Sequence, residues 1–189
     1  MNAKKTQNKK EPSETIRLEA LNISMNLDPQ WIVGFVDGEG CFHIGLNKNE
    51  GMTLKVQVLP EFTVVQHQRD IALLYALKNY FKCGEVNPNH GDRKAFRVRN
   101  QETLAKVIIP FFDKHKLKTK KRIDFEKFRD VLLLMEKREH LTKEGLDKIR
   151  KIADQMNRKG IINEIHIVSQ ANQQLTKRLE ATLLNESEI

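Results

Sequence analysis

Two acids, Asp37 and Glu39, close the segment Trp31-Ile-Val-Gly-Phe-Val-Asp-Gly-Glu-Gly40. The apolar body of that segment predicts a helix with both carboxylates near its C-terminal end. A carboxylate there faces the negative end of the helix dipole, which is unfavourable by roughly 0.3–1 kcal/mol. A divalent cation would remove that penalty. Carboxylate and carbonyl oxygens are the ligands Mg²⁺ prefers, and two copies of the helix packed side by side would bring two Glu39 carboxylates into a geometry suited to metal-assisted phosphodiester hydrolysis. A plain buried helix ending at a Gly-Glu-Gly turn explains the segment equally well when it is taken alone. A second chemical feature is cationic. Lys114, Lys116, Lys118, Lys120, Lys121 and Arg122 fall within nine residues that contain no acid. Such a run is commonly a solvated face, but this one leads into an apolar helix and is therefore held against the fold. It suits contact with phosphates, which sets affinity and salt dependence rather than sequence preference.

The elements that must position these groups are readable from caps and periodicity. Asp28 is a candidate N-cap with Pro29 at the first helical position. The helix should run from Pro29 to about Asp37 and stop at Gly38 and Gly40. With no polar face along Trp31–Val36, it is expected to be buried on all sides. Gly34 and Gly38 lie four residues apart on one ridge, and an interior helical glycine costs about 1 kcal/mol relative to alanine. Two such notches admit the close approach of another backbone, and a second copy of the chain would supply it, with Trp31, Gly34, Phe35 and Gly38 at the contact. The two Glu39 carboxylates would then converge on the twofold axis.

Cys41–Asn47 alternates as a half-buried strand, a turn follows at Lys48–Gly51, and Thr53–Val65 alternates again. Asp70–Phe81 has helical spacing. Glu85–Asn89 and Lys94–Asn100 form a second hairpin around His90-Gly91-Asp92. Gln101–Phe112, Arg122–Lys137 and a stretch opened by Thr142 as N-cap and running to about Asn157 are further helices. The order is that of an α+β fold, an antiparallel sheet with helices on one face and extra C-terminal helices. Residues 1–26 are expected to be a polar leader, 27–157 the core, and 158–189 a polar, partly helical tail.

Composition narrows the function classes. The chain has 189 residues, 39% apolar, with a formal net charge of +8. That is enough apolar content for a core, and the basic balance points to nucleic acid or an anionic surface. No apolar run approaches the roughly 20 residues that span a bilayer, and Met1–Lys10 is too polar for a secretory signal. Cys41 and Cys83 lack metal-ligand spacing and are expected to be reduced thiols. The histidines form no zinc pattern. An intracellular protein is expected, in an organelle (chloroplast or mitochondrion) or a bacterial cytoplasm, with no membrane partner and no small-molecule cofactor.

Residues 31–40, in this order of elements, resemble the signature of the LAGLIDADG homing endonucleases. Pro60-Glu-Phe-Thr-Val-Val-Gln66 is similar to that family's second strand. Lys116-Leu-Lys-Thr-Lys-Lys-Arg122 is similar to its basic segment, and Leu141-Thr-Lys-Glu-Gly-Leu with Ile149 and Met156-Asn157 to a late motif. The resemblance covers about residues 27–157. It implies an αββαββα core whose saddle-like sheet faces DNA, a symmetric homodimer because the signature occurs once, and a site-specific, often intron-encoded, double-strand endonuclease with a long pseudo-palindromic target. It implies Mg²⁺ as cofactor, with Mn²⁺ able to substitute and Ca²⁺ supporting binding without cleavage. By the same resemblance Glu39 is the acidic metal ligand, assisted by the Gly38 carbonyl. Asp37 is structural, Gln66 orients water, and Lys118, or Lys120 two residues on, stands near the scissile phosphate. Arg69 matches a nearby basic residue with the register off by one. A non-cleaving nucleic-acid binder on the same scaffold, a maturase or a regulator, is the alternative.

Sequence readout should come from the outer strand faces, since an antiparallel ribbon fits the major groove. That nominates Cys41, His43, Asn47, Lys55, Gln57, Glu61, Thr63, Asn87, Asn89, Arg97 and Arg99. Lys48, Arg93 and Lys94 at hairpin tips, with Lys116 and Lys121, are placed to reach phosphates or outer bases.

Overall fold

The computed structural model describes residues 25–157. Most of the expected leader and the whole expected tail lie outside the described residues. Helix α1 spans Pro29–Glu39 and opens as its sequence dictates: Asp28 accepts from the amides of Gln30 and Trp31, and Pro29 needs no donor. It runs two residues beyond the expected end. Gly38 lies inside the last turn, and the break comes at Gly40, whose backbone is extended (φ −79°, ψ 157°) while its amide still donates to the Val36 carbonyl. A Cβ at residue 40 would sit 2.5 Å from Val36 Cγ1 and 2.7 Å from the Val36 carbonyl oxygen, so only glycine lets the chain turn straight from helix to strand here.

Strands β1 (Gly40–Lys48), β2 (Val56–His67), β3 (Glu85–Pro88) and β4 (Arg93–Val98) form one sheet in the order β1-β2-β4-β3. Strand β2 starts three residues later than the alternation suggests. Thr53–Lys55 belong to the turn, where Lys55 has a left-handed backbone (φ 56°) and its amide donates to Met52. Helix α2 (Ile71–Phe81) follows β2 through a short 3₁₀ turn at Gln68–Asp70.

The segment expected as one helix from Gln101 to Phe112 is α3 (Gln101–Thr103), a π-helical turn at Leu104–Ile108, and α4 (Ile109–Lys114). Pro110 gives the physical reason: it has no amide to donate, and its ring crowds the carbonyl four residues back, so the helix widens ahead of it. Helix α5 (Lys121–Glu136) and helix α6 (Lys143–Asp154) complete the order, with Thr142 capping α6 through the Gly145 amide.

The described chain forms two compact units. Residues 25–41 and 61–119 make the first. Its centre is a phenylalanine cluster: Phe62 meets Phe81, Phe96 and Phe112 edge-on at centroid distances of 6.4, 6.2 and 5.7 Å. Phe62 pairs with Val98 and Val64 with Phe96 across β2 and β4, which sets these apolar side chains on one face of the sheet. Residues 42–60 and 120–157 make the second, where Phe42 packs against Phe125 and Phe128 at 5.3 and 5.5 Å. There Asn157 Nδ2 donates to the Phe42 carbonyl and its amide to Asp124, tying the end of α6 to an edge strand.

Candidate active site and nucleic-acid interface

The expectation that α1 is buried on every side holds only for part of its surface. Ile32, Val33 and Val36 are buried, yet Trp31 is 41% exposed, Gly34, Gly38 and Glu39 are exposed, and Phe35 is half-buried. These residues recur at helical spacing, so they share one stripe. Trp31 and Phe35 stack on it with centroids 4.8 Å apart. A Cβ added at Gly34 or Gly38 would meet nothing within 4 Å among the described residues. Among the described residues the notches therefore face open space, and the apolar stripe is left uncovered there.

The two acids at the end of α1 have separate surroundings. Asp37 accepts from the Lys118 amide (2.8 Å), the Thr119 amide (3.3 Å) and the Thr119 hydroxyl (2.8 Å). Its two oxygens thus hold a loop more than eighty residues away in sequence. Glu39 is exposed, and among the described residues no hydrogen bond or ion pair reaches its carboxylate. The last carbonyls of a helix, that of Gly38 among them, have no partner further along the helix. A carboxylate and a carbonyl are hard oxygen donors suited to Mg²⁺. They make only part of a coordination shell, and among the described residues no group of three or more His, Cys, Asp or Glu side chains could hold a metal.

The other expected site residues fall into three places. Gln66 is half-buried at the end of β2, directly opposite Lys94 on β4, a spacing of about 4.5–5.5 Å between Cβ atoms in an antiparallel pair. Arg69 lies in the turn after β2, exposed, with Nε 3.3 Å from Asp70. Lys118 is exposed on the loop that Asp37 holds, flanked by buried Leu117. Lys120 is exposed and Lys121 half-buried at the start of α5, while Lys116 pairs with Asp113 at 3.6 Å.

On the outer strand face of the first unit, side chains hold one another. Glu61 pairs with Arg97 at 3.6 Å and more closely with Arg99, and accepts from the Thr63 hydroxyl at 2.7 Å. Arg97 donates to Asn89 at 2.7 Å, and Asn87 to Glu85 at 3.3 Å. Thr63, nominated for contact with bases, is 8% exposed beneath this network, opposite Arg97 in register. Arg99 lies just past the end of β4. Burial by itself pushes the Glu61 carboxyl up, but Thr63, Arg99 and Arg97 together hold it below the usual carboxylate range. A groove of about 360 Å³ beside the network is lined by Asn87, Arg97, Arg99 and Asn100 among others.

In the second unit His43 and Asn47 are exposed on β1. Gln57 accepts from Asn49 Nδ2 at 3.0 Å, and Lys48 and Lys55 both pair with Glu50. Lys55 is thereby a turn residue and not a strand contact. Arg93 is exposed at the start of β4. Asp37 is the residue whose importance the spacing understated. The available signal was its unfavourable place at a helix C-terminus, which calls for donors from elsewhere.

Residues 32–132, more than half of the chain, match the profile of the LAGLIDADG endonucleases. The chain belongs to the LAGLIDADG endonuclease family. Its α+β architecture is that of its solved relatives. It is 57% identical to the homing endonuclease I-TnaI, with a TM-score of 0.68 over 70% of this chain and 90% of that one. Against I-SmaMI bound to an uncleaved DNA target in the presence of calcium ions it has 34% identity and a TM-score of 0.69, covering 71% of this chain and 47% of that one. A probable intron-encoded endonuclease of Neurospora crassa is 34% identical over 67% of this LAGLIDADG chain. The homing endonuclease I-ApeII of Aeropyrum pernix is 33% identical over 56% of it. The chain spans about a quarter of the length of the first curated relatives it matches. No helix among its described residues is long and apolar enough to cross a membrane.

Proposed function

We propose that this LAGLIDADG chain is a site-specific double-strand DNA endonuclease that depends on a divalent metal and acts as a homodimer. The observation that carries this reading is the end of α1, where an exposed Glu39 stands beside an Asp37 that anchors the Lys118 loop. Glu39 and the Gly38 carbonyl are the residues that would hold Mg²⁺. Bound there, the metal would supply Lewis-acid stabilisation and an activated water. The chain's own groups do the rest. Lys118 offers a cation to the cut phosphate, Gln66 orients water by hydrogen bonding, and Arg69 adds positive charge near the same strand end.

The second copy follows from incompleteness. One chain offers a single carboxylate, and its apolar stripe with open glycine notches suits a like surface. I-SmaMI, of which this chain covers 47%, is about twice as long relative to the shared region, which supports a second copy standing in for its remainder. Arg97, Arg99, Asn87 and Asn89 in the first unit, and His43, Asn47 and Gln57 in the second, would read base edges. Mn²⁺ should replace Mg²⁺, and Ca²⁺ should support binding alone, as the calcium-containing I-SmaMI complex with uncleaved DNA suggests.

The test is selection of cleaved products from a randomised DNA library, with light scattering in parallel. A pseudo-palindromic consensus cut only in Mg²⁺ or Mn²⁺, by a protein of twice the chain's mass, is expected. A bound consensus that is never cut would move the chain to the non-cleaving alternative.

A further inference from the structure

We infer that Asp37 is a positioning residue: it fixes the backbone of residues 118 and 119 so that Lys118 is presented at the helix end that carries Glu39. The inference rests on the endonuclease reading above and adds a role that Glu39, Gln66 and Lys118 do not cover. Asp37 sits in the last turn of α1, where the dipole disfavours its charge. A half-buried charge in that place needs donors, and it has three: the Lys118 amide at 2.8 Å, the Thr119 amide at 3.3 Å and the Thr119 hydroxyl at 2.8 Å. Charge-assisted bonds to a carboxylate are roughly twice as strong as neutral ones. Two of the donors are main-chain groups, so the carboxylate holds the path of the loop and not just one rotamer.

The loop is pinned a second time. Leu117 is 2% exposed, between exposed Lys116 and Lys118. With its neighbour in the core on one side and Asp37 on its own amide, Lys118 has little backbone freedom left, and only its side chain remains to be ordered. The clamp falls on residue 118 itself. Of the two lysines the sequence left open, Lys118 is therefore the one whose backbone is held at the end of α1. The same bonds divide the acids by task. Both oxygens of Asp37 are engaged by the loop, which leaves Glu39 as the carboxylate available to a cation. Misplacing a reacting group by about 1 Å costs about 100-fold in rate, so loosening this clamp should be visible in catalysis well before it affects folding.

Asp37→Asn keeps the shape and turns one acceptor into a donor; Thr119→Val removes one bond from the loop side. Single-turnover cleavage at saturating protein should fall about 10–100-fold for Asp37→Asn and less for Thr119→Val, with DNA affinity in Ca²⁺ and Mn²⁺ affinity unchanged within about twofold. In a Lys118→Ala background, Asp37→Asn should lower the rate by no more than about threefold, because its effect passes through Lys118. Hydrogen exchange gives a readout without activity: the amides of Lys118 and Thr119 should exchange at least about tenfold faster in Asp37→Asn, with those of α2 unchanged. An equal loss in both backgrounds, a loss of Mn²⁺ affinity, or unchanged exchange at 118 and 119 overturns the inference alone. A wild-type protein that binds its target and never cuts defeats the endonuclease reading, and the inference with it.

Discussion

At the end of α1 an acid is held by amides; on the outer face of β4 a base is held by side chains. Asp37 faces two main-chain N–H groups and a hydroxyl. The two amides cannot leave without moving the loop. Arg97 faces Glu61 and Asn89, and Glu61 in turn faces Arg99 and Thr63. Those partners are side chains, and Arg99 is largely in solvent with 70% of its side chain exposed, against 19% for Arg97. The first arrangement suits a group that must not move during a reaction. The second suits a surface whose side chains can exchange partners. Charge is spent on rigidity in one region and kept interchangeable in the other.

The sharpest way to break this contrast is at Glu39. Removing a metal ligand forfeits several kcal/mol of transition-state stabilisation, so Glu39→Gln should slow cleavage on the order of a thousand-fold while binding in Ca²⁺ persists. Residual cutting within tenfold of wild type would place the chemistry elsewhere. Gly34→Leu comes next. Among the described residues nothing lies within 4 Å of a Cβ there, so the fold should be unharmed or gain up to about 1 kcal/mol in helix propensity. Self-association should weaken by at least about tenfold in sedimentation. A dimer of undiminished affinity would show that α1 does not form the contact.

On the outer strand face, if it reads bases as proposed, Arg97→Ala should cost about 1–3 kcal/mol of discrimination at one base pair. Arg99→Ala should weaken binding more evenly across sequences and flatten the salt dependence by about one unit of slope. Equal specificity profiles for the two variants would erase the distinction between held and exposed arginine. Thr142→Ala, in the second unit, should lower stability by about 1 kcal/mol through loss of the α6 cap and leave cleavage unchanged.

The smallest effect expected is with acid. Glu61 is held below its ordinary value, so the stability it contributes is present above the unfolded carboxylate range and is lost as pH falls through the lower folded value. Thermal melts should therefore decline with acidification below about pH 4.3, and less steeply in Glu61→Gln. Parallel declines in the two proteins would mean that the network does not couple to folding.

Much of this was legible from residue order. Asp28-Pro29 and Thr142 announced two helix starts, and both cap as expected. The alternation Phe42, Ile44 and Phe62, Val64 named the buried sheet face correctly because a period of two has one apolar solution. What failed did so where long-range contacts override local pattern. The uniform apolarity of Trp31–Val36 reads as burial on every side, whereas among the described residues only Ile32, Val33 and Val36 of it are buried, since sequence apolarity does not distinguish a core face from an apolar face left exposed. Lys55 and Thr63 have the right parity for an outer strand face. A left-handed turn removed the first from the strand, and the ion-pair cover from Arg97 and Glu61 buried the second. The bond from Asp37 to residues 118 and 119 joins segments that no periodicity connects.

The division of labour between the two acids is tested most directly by Mn²⁺ titration of the DNA-bound protein, followed by electron paramagnetic resonance, in wild type, Glu39→Gln and Asp37→Asn. Bound Mn²⁺ should be lost in Glu39→Gln and kept in Asp37→Asn. Undiminished Mn²⁺ in Glu39→Gln, or its loss in Asp37→Asn, would contradict the assignment of metal to Glu39 and loop to Asp37.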